Sequence, residues 1–571
     1  MTAKQSNRRI RILAVGFLVV FGLVLARAVW IQVVRGPSYE AMATRQHRET
    51  ITLPAGRGTI LDRTGEPLAI GQQSTTVYAD PKLVRNPQRV AVAAGKALGL
   101  DPNHVYNLLR TKGTRFVYVQ RQADPIKAAA LKKLDLPGLG FYSEEKRTYP
   151  QGPVGAQVLG YAGTDNRGLE GIERMLETKL RGRPGAEIVV KDPFGRAIDV
   201  VKSRAERPGK AVQLTLDHQI QAATESILLD AVRRFDAHGG TAIVMDIADH
   251  GAILAMANAP TIDANRFGVA RPDLRRNRAV TDMYEPGSTF KIVPIAAALE
   301  DGVVTPTSAF TLAPRIQVAD RIIGEAHERP TETMTVREIL ARSSNVGTVT
   351  VAQQLGSRSL ASWISRFGFG RGTGIDFPGE VDGMVLPLDR WSGSTIGTVP
   401  IGQGIAVTPM QMVSAYAAIG NGGVMPVPRL VERLGGRRVE RHPGRRIVSK
   451  HTANRMMAMF RDVVLEGTGS GAAIPGYTVA GKTGTALKSE NGRYVSKYVA
   501  SFVGLVPAMR PRLAILVMVD EPHGLFYGGD VAAPAFAEIA KFALQYLEVP
   551  PDAPETAPGA HVVALGGGST Q

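Results

Sequence analysis

The sequence predicts an α+β fold: an antiparallel five-stranded sheet covered by helices, preceded by a mixed region and one N-terminal transmembrane helix. Three observations carry this. After Leu214, strand-like runs come at both ends and helical periodicity fills the middle. Two strands come early ("GGTAIVMDI", "GAILAMANAP") and three late ("YTVAGKTGTALK", "YVASFVGLVPA", "RLAILVMVDE"), the breaks being short enough for hairpins. A long apolar run stands near the N-terminus behind a basic cluster.

In chain order, Lys4, Arg8, Arg9 and Arg11 precede an apolar segment at residues 12–34, which is long enough to span a bilayer. The basic cluster places residues 1–11 in the cytoplasm and the bulk of the chain outside, in an inner-membrane, single-pass arrangement. Trp30 suits the outer interface, and Arg27 lies near enough to that end to snorkel. Ala26-Arg27-Ala28 resembles a signal-peptidase site, but apolarity continues beyond it, which favours an uncleaved anchor.

Residues 35–208 read as a mixed region with short strands ("ETITLPAG", "TRFVYVQRQ") and a helix ("QRVAVAAGKALGL"). "RGTILDRTGEPLA" reads as strand-turn-strand with Gly65 in the turn, a structural role. A basic linker, "SRAERPGKAVQ", leads into residues 209–548. There "HQIQAATESILLDAVRRF" is helical, and Asp249-His250-Gly251 is a tight turn between two strands. Asn491-Gly492 marks another hairpin, and "AAPAFAEIAKFALQYL" closes the region as an amphipathic helix. Residues 549–571, rich in Pro, Ala and Gly, read as a disordered tail. "GFGRGTG" at 368–374 lacks nucleotide-binding spacing and reads as a loop, while "GQG" at 402–404 reads equally as cleft lining or helix entry.

Composition narrows the function. The 571 residues suffice for more than one domain. Cysteine is absent, which excludes disulfides, thiolate nucleophiles and Cys-ligated zinc. The net charge of +17 admits nucleic acid, anionic lipid or acidic envelope polymers as partners. The basic residues are scattered and aromatics make up only 6%, a pattern that argues against nucleic-acid binding.

Gly476, Gly481, Lys482 and Thr483 imitate a P-loop, G-x-x-x-x-G-K-T. A P-loop needs a buried strand before it and a helix after it. "EGTGSGAAIP" is no strand, and "GTALKSENGRYV" is a strand entering a hairpin, so the Lys-Thr-Gly has another use.

That use begins with "YEPGSTFKIVPIAAALEDG". Pro286-Gly287 forms a turn and Ser288 opens a helix ending near Gly302. Ser288 and Lys291 are three apart and share one helix face. A hydroxyl is a poor nucleophile until a base takes its proton, and a desolvated lysine can be that base. Helix-start N–H groups can hold an oxyanion. "REILARSSNVGTVTVAQQL" puts Ser343 and Asn345 in a break between helices, where a hydroxyl can relay a proton and an amide can hold a peptide group. A plain N-cap explains the same residue types. Lys482, Thr483, Gly484 and Thr485 lie on a strand: Gly484 lets a ligand backbone lie close, and the Lys and Thr groups can meet a carboxylate. A Ser-His-Asp triad fits less well, since no histidine neighbours Ser288 and no G-x-S-x-G surrounds it. These motifs require neither cofactor nor metal.

S-x-x-K, S-x-N and K-T-G, on helix, helix break and strand, form the acyl-transfer signature of penicillin-binding proteins and β-lactamases. The chain resembles the class B penicillin-binding proteins, monofunctional peptidoglycan D,D-transpeptidases, over nearly its full length. The resemblance rests on the anchor, "RGTILDRTGEPLA", "GLEGIE", "NRAVTDMYEPGSTFK", "RSSNVG", "GQGIAVTPMQM" and "AGKTGTA". "NRAVTDMYEPGSTFK" and the stretch from "SKYVASFVGLV" to "APAFAEI" resemble the septal, division-specific branch. The resemblance implies a pedestal or dimerisation-type domain at 35–208 and a penicillin-recognising transpeptidase fold at 209–548. It implies Ser288 as nucleophile, Lys291 as base and Ser343 as proton shuttle. Asn345 would bind the peptide amide, and Lys482, Thr483 and Thr485 the carboxylate, with the N–H groups of Ser288 and Thr485 as oxyanion hole. The substrate would be D-Ala–D-Ala stem peptides and the inhibitors β-lactams. A SEDS-type glycosyltransferase and division-complex membrane proteins would be partners.

A β-lactamase shares the acylation motifs but needs a deacylating base, and it rarely carries an anchor and a pedestal. A carboxypeptidase differs only in accepting water. A non-catalytic division scaffold has no need of Ser288, Lys291, Ser343, Asn345 and Lys482 together.

Overall fold

The computed structural model describes residues 3–191, 197–490 and 492–553. They fall into two compact units, residues 1–56 with 182–209, and residues 57–181 with 210–571. The residues read as one pedestal, 35–208, are thus shared between the two units.

In the first unit the helix Ala3–Val29 continues through a π-helical turn, Trp30–Val34. The segment Asn7–Val34 is long and apolar enough to cross a membrane. The strand Arg48–Leu53 pairs antiparallel with Gly185–Lys191, which pairs in turn with Ala197–Arg204.

The second unit begins at "RGTILDRTGEPLA", and here the strand-turn-strand reading holds. Ile60–Leu61 pairs with Pro67–Ala79. Asp62 Oδ1 accepts from the N–H of Thr64 (2.7 Å) and Glu66 (2.9 Å), and Gly65 supplies the left-handed residue at φ +97°. The motif also carries an ion-pair knot. Arg57 Nε donates to Glu173 Oε2 at 2.6 Å and Arg57 Nη1 to Glu177 at 2.7 Å, while Arg147 Nε donates to the other Glu173 oxygen at 2.6 Å. Arg57 and Glu173 are wholly buried, so each charge depends on the other for compensation. "GLEGIE" and "RGTILD" are therefore two halves of one contact. The helices Pro87–Leu98, Pro102–Leu109 and Pro125–Lys132 build a small separate core around Val77, Val90, Leu109 and Leu131.

The main sheet is assembled from both ends of the remaining chain. Helix α1 (His218–Arg234) is capped by Asp217, which accepts from the N–H of Gln219 and Ile220. β1 (Gly239–Asp246) and β2 (Ala252–Ala259) follow, joined by a turn with His250 and Gly251 at positive φ. Next come the helices α2 (Ile292–Glu300), α3 (Val336–Ala341), α4 (Asn345–Leu355), α5 (Pro409–Gly420) and α6 (Lys450–Leu465). β3 (Ala480–Glu490), β4 (Arg493–Val506), β5 (Leu513–Asp520) and α7 (Gly528–Tyr546) complete the domain. The order is β2-β1-β5-β4-β3, every pair antiparallel.

Alternation along the strands divides two cores. Ile243, Met245, Leu516 and Met518 face the core that contains α2, α5 and α6. Ala242, Val244, Ile515 and Val517 face the core built with α1 and α7. β5 is central and covered on both faces, which is why "LAILVMV" is continuously apolar.

The P-loop likeness disappears in this topology: Lys482 lies in mid-strand opposite Val503, and a hairpin follows. β3 starts at Ala480, three residues later than the sequence reading. Tyr477 and Thr478 are instead engaged by the segment after α7: Tyr477 Oη donates to Val549 O and Thr478 N to Asp552 Oδ1. Residues 549–553 are therefore ordered, contrary to the tail reading, and 554–571 lie outside the described residues. At the β3–β4 hairpin, Asn491 also lies outside them, while Gly492 has φ +77°.

Candidate active site

β3 is an edge strand, and the turn that carries Ser288 packs against its free side. Ser288 lies in a 3-10 turn, Gly287–Lys291, that runs straight into α2. Gly287 sits at φ +54°, where a Cβ would come within 2.7 Å of Thr485 O. On its other side Gly287 N donates to Gly402 O (3.2 Å), and a Cβ on Gly402 would stand 2.2 Å from Gly287 O. The turn is thus wedged between the β3 edge and the "GQG" loop, which both braces it and, through Gln403, lines the cleft. Thr289, Phe290 and Lys291 point inward; Thr289 Oγ1 donates to Pro286 O, and Tyr416 Oη donates to Thr289 O. Ser288 alone stays half-buried, facing a cleft of about 600 Å³.

Lys291 is wholly buried, and its Nζ donates to Ser343 O, Ser343 Oγ (3.2 Å) and Asn345 Oδ1 (2.9 Å). Burial pushes its pKa down to about 7, with the Glu325 carboxylate pulling the other way. The S-x-N motif occupies the break between α3 and α4, as its sequence predicts. Ser343 holds φ +60°, an unusual conformation for a non-glycine residue. The cap reading belongs to its neighbour: Ser344 Oγ accepts from Gly347 N (2.9 Å) and caps α4. Ser343 is left free to face the cleft and Lys291.

On β3, Thr483 and Thr485 line the cleft. Lys482 does not: it is wholly buried behind them, with Nζ on Thr483 Oγ1 (3.2 Å) and Thr468 Oγ1 (3.4 Å). Burial, then repulsion from Lys291, pushes Lys482 well below the usual lysine range. Gly484 is required by protein rather than by ligand. A Cβ there would meet Ser501 Oγ at 2.4 Å and Pro286 O at 2.9 Å, so the glycine lets the turn that carries Ser288 sit against the strand. Thr485 Oγ1 accepts from Gly528 N at the start of α7 (3.1 Å).

Three cleft residues escaped the sequence reading. Glu325 accepts from Ser344 Oγ and Asn345 N, both at 2.6 Å, and pairs with Arg329 at 2.7 Å, anchoring the S-x-N break from below. Thr468 exchanges a 2.7 Å hydrogen bond with Thr483. Tyr527 stands at the mouth, its ring 5.3 Å from that of His327. None belongs to a motif; tertiary structure brings them in from loops.

A half-buried serine on a helix start, a buried lysine three residues on, a Ser-x-Asn break and a Lys-Thr-Gly strand edge around one cleft define an acyl-transfer serine site of the S-x-x-K type. The chain matches the family described as penicillin binding protein transpeptidase domain over residues 240–541, and that described as penicillin-binding protein dimerisation domain over residues 52–214. It is 34% identical to peptidoglycan D,D-transpeptidase FtsI of Escherichia coli over 551 residues, which cover 94% of this chain and 91% of that protein. It is 35% identical to probable peptidoglycan D,D-transpeptidase PenA of Neisseria meningitidis, over 97% and 95% of the two chains. The crystal structure of penicillin binding protein 3 from Mycobacterium tuberculosis, complexed with aztreonam, is similar at TM-score 0.69 and 30% identity, covering 88% of this chain and 99% of that one. The chain belongs to the penicillin-binding protein family, with dimerisation and transpeptidase domains and one N-terminal helix long and apolar enough to cross a membrane.

Proposed function

We propose that this chain is a peptidoglycan D,D-transpeptidase that cross-links stem peptides through a Ser288 acyl-enzyme, is blocked by β-lactams, and works in septal wall synthesis. The observation that carries the reading is that half-buried Ser288 lines one cleft with Ser343 and Asn345, and both of these are hydrogen-bonded to Lys291, which is wholly buried and lowered to about 7. Relatives named as D,D-transpeptidases support the reaction, and the aztreonam complex of a related protein supports the inhibitor class.

Neutral Lys291 takes the Ser288 proton as Oγ attacks the carbonyl of the penultimate D-Ala. The N–H groups of Ser288 and Thr485 hold the oxyanion. Asn345 holds the donor peptide's amide, since each end of its side chain keeps hydrogen-bonding capacity beyond its bonds to Lys291 and Gly324 O. Thr483 and Thr485 hydroxyls hold the terminal carboxylate, with Lys482 Nζ fixing the Thr483 hydroxyl from behind by a hydrogen bond. Ser343 passes the proton from Lys291 to the leaving nitrogen, the C–N bond breaks and D-alanine departs. An acceptor amine then attacks the ester, its proton returns to Ser288 Oγ, and the new amide is released.

Lys4, Arg8, Arg9 and Arg11 before the apolar helix orient the N-terminus to the cytoplasm and the cleft outward. A SEDS-type glycosyltransferase and other division-complex membrane proteins are the proposed partners. The test is incubation with a synthetic donor ending in D-Ala–D-Ala and an amine acceptor. Release of D-alanine with formation of the donor–acceptor amide is the expected result. Hydrolysed donor alone marks a carboxypeptidase, and rapid penicillin turnover a β-lactamase.

A further inference from the structure

A second cavity, of about 180 Å³, lies in the transpeptidase domain and shares no lining residue with the Ser288 cleft. Its walls include Gly368, Arg371 and Gly372 of the "GFGRGTG" loop, Gln411 of α5, and Met425 and Arg445. The loop is held in shape by Gly368, Gly370 and Gly374, all at positive φ. At Gly368 a Cβ would point to Arg445 Nη2 and Met425 Sδ, each 3.8 Å away, so the glycine leaves space in front of that guanidinium.

The charge is unbalanced there. Elsewhere on this face the arginines have carboxylates: Arg429 pairs with Asp249 and Glu432, Arg438 with Glu432, and Arg441 with both. Among the described residues Arg371 and Arg445, both exposed to solvent along part of their length, form no ion pair, while Arg366 stacks on Trp363 and is felt by the Glu300 carboxylate. Arg371 spends one N–H on Ser365 O. Two carboxylates, Glu380 and Asp382, stand beside Gly372 of the wall, and Glu380 is engaged by the N–H and hydroxyl of Thr373. Partial burial, then the charges of Arg371 and Arg366, push Arg445 below the usual arginine range.

The neutral polar groups of the wall are already used. Gln411 donates to Arg371 O and Asp382 O and accepts from Thr408 N, and Ser414 donates to Met410 O. The hydrogen-bonding capacity the cavity offers a guest is thus mainly guanidinium N–H, which suits a guest rich in acceptors. Planar guanidinium forks match phosphate oxygens bidentately, and several cations converging on one space match a dianion better than a single carboxylate. We propose that the cavity between the 368–374 loop and Arg445 is a binding site for a phosphoryl group, separate from the acyl-transfer cleft.

The test is titration of the detergent-solubilised full chain with inorganic phosphate at fixed ionic strength, against the Arg371→Gln/Arg445→Gln double variant. Saturable binding to the native chain, weakened about tenfold or more in the variant, is expected. Two further arms separate sources. Arginine-dependent binding of soluble glycerol 3-phosphate assigns a water-soluble phosphate ester. Arginine-dependent tightening seen only in phosphatidylglycerol nanodiscs, relative to phosphatidylcholine, assigns a lipid headgroup. Equal behaviour of native chain and double variant in all three arms overturns the proposal. Unchanged penicillin acylation of the double variant shows that it is folded, and keeps this outcome distinct from any failure of the acyl-transfer reading.

Discussion

Lys291 Nζ lies 2.9 Å from Asn345 Oδ1, so the lysine of the S-x-x-K motif and the amide of the S-x-N motif are in direct contact beneath the cleft. The same nitrogen also reaches the hydroxyl and carbonyl of Ser343. Two motifs that lie 54 residues apart in the chain are one hydrogen-bonded unit.

The first prediction concerns pH. Lys291 must be neutral to accept the Ser288 proton, and burial lowers it to about 7. The second-order rate of penicillin acylation should therefore rise with pH up to about 7 and level off above it. Lys291→Ala should lose about 10²–10⁴-fold in that rate, with the limb near 7 abolished. Stopped-flow or gel-based acylation across pH 5–9 measures both.

A second prediction concerns Glu325, which accepts from Asn345 N and Ser344 Oγ and raises the pKa of Lys291. Glu325→Gln weakens two charge-assisted hydrogen bonds, each of order 1.5–3 kcal/mol. Acylation should fall by about 10–100-fold, and the limb near 7 should move to lower pH because an attraction on the ammonium is gone. A purely structural role would lower the rate without moving the limb.

The third prediction lies far from the cleft. Arg57 and Glu173 are both wholly buried, and Glu173 also holds Arg147. Arg57→Ala leaves the carboxylate under-compensated and should destabilise the protein by about 3–5 kcal/mol. Arg57→Lys should recover little, because an ammonium cannot reproduce the Nε and Nη1 fork onto Glu173 and Glu177. Thermal unfolding measures the loss, while the fraction that remains folded should still acylate.

Much of the site was legible because its chemistry is local. Ser288 and Lys291 share a helix face through their spacing alone, and Ser343 with Asn345 could be placed in a helix break by residue type. The five strands were legible from apolar runs and turn residues, and the P-loop could be rejected from its flanks. What stayed hidden depends on tertiary placement. Glu325 follows a short hairpin some twenty residues before the motif it supports, and nothing in its own neighbourhood marks it. Lys482 was read as a group that meets a carboxylate, yet it is buried behind the cleft wall with its Nζ on the Thr468 and Thr483 hydroxyls. Gly484 was read as room for a ligand, whereas Pro286 and Ser501 take that space. Residues 549–553 look like tail by composition, but Asp552 accepts from Thr478 and holds them.

The central claim is that Ser288 forms the acyl-enzyme. Its most direct test is intact-protein and peptide mass spectrometry after incubation with a fluorescent penicillin, comparing the native chain with Ser288→Ala. A persistent one-to-one adduct on the peptide containing Ser288, and none on the variant, is the expected result. An adduct that survives Ser288→Ala, or its absence from the folded native chain, would contradict it.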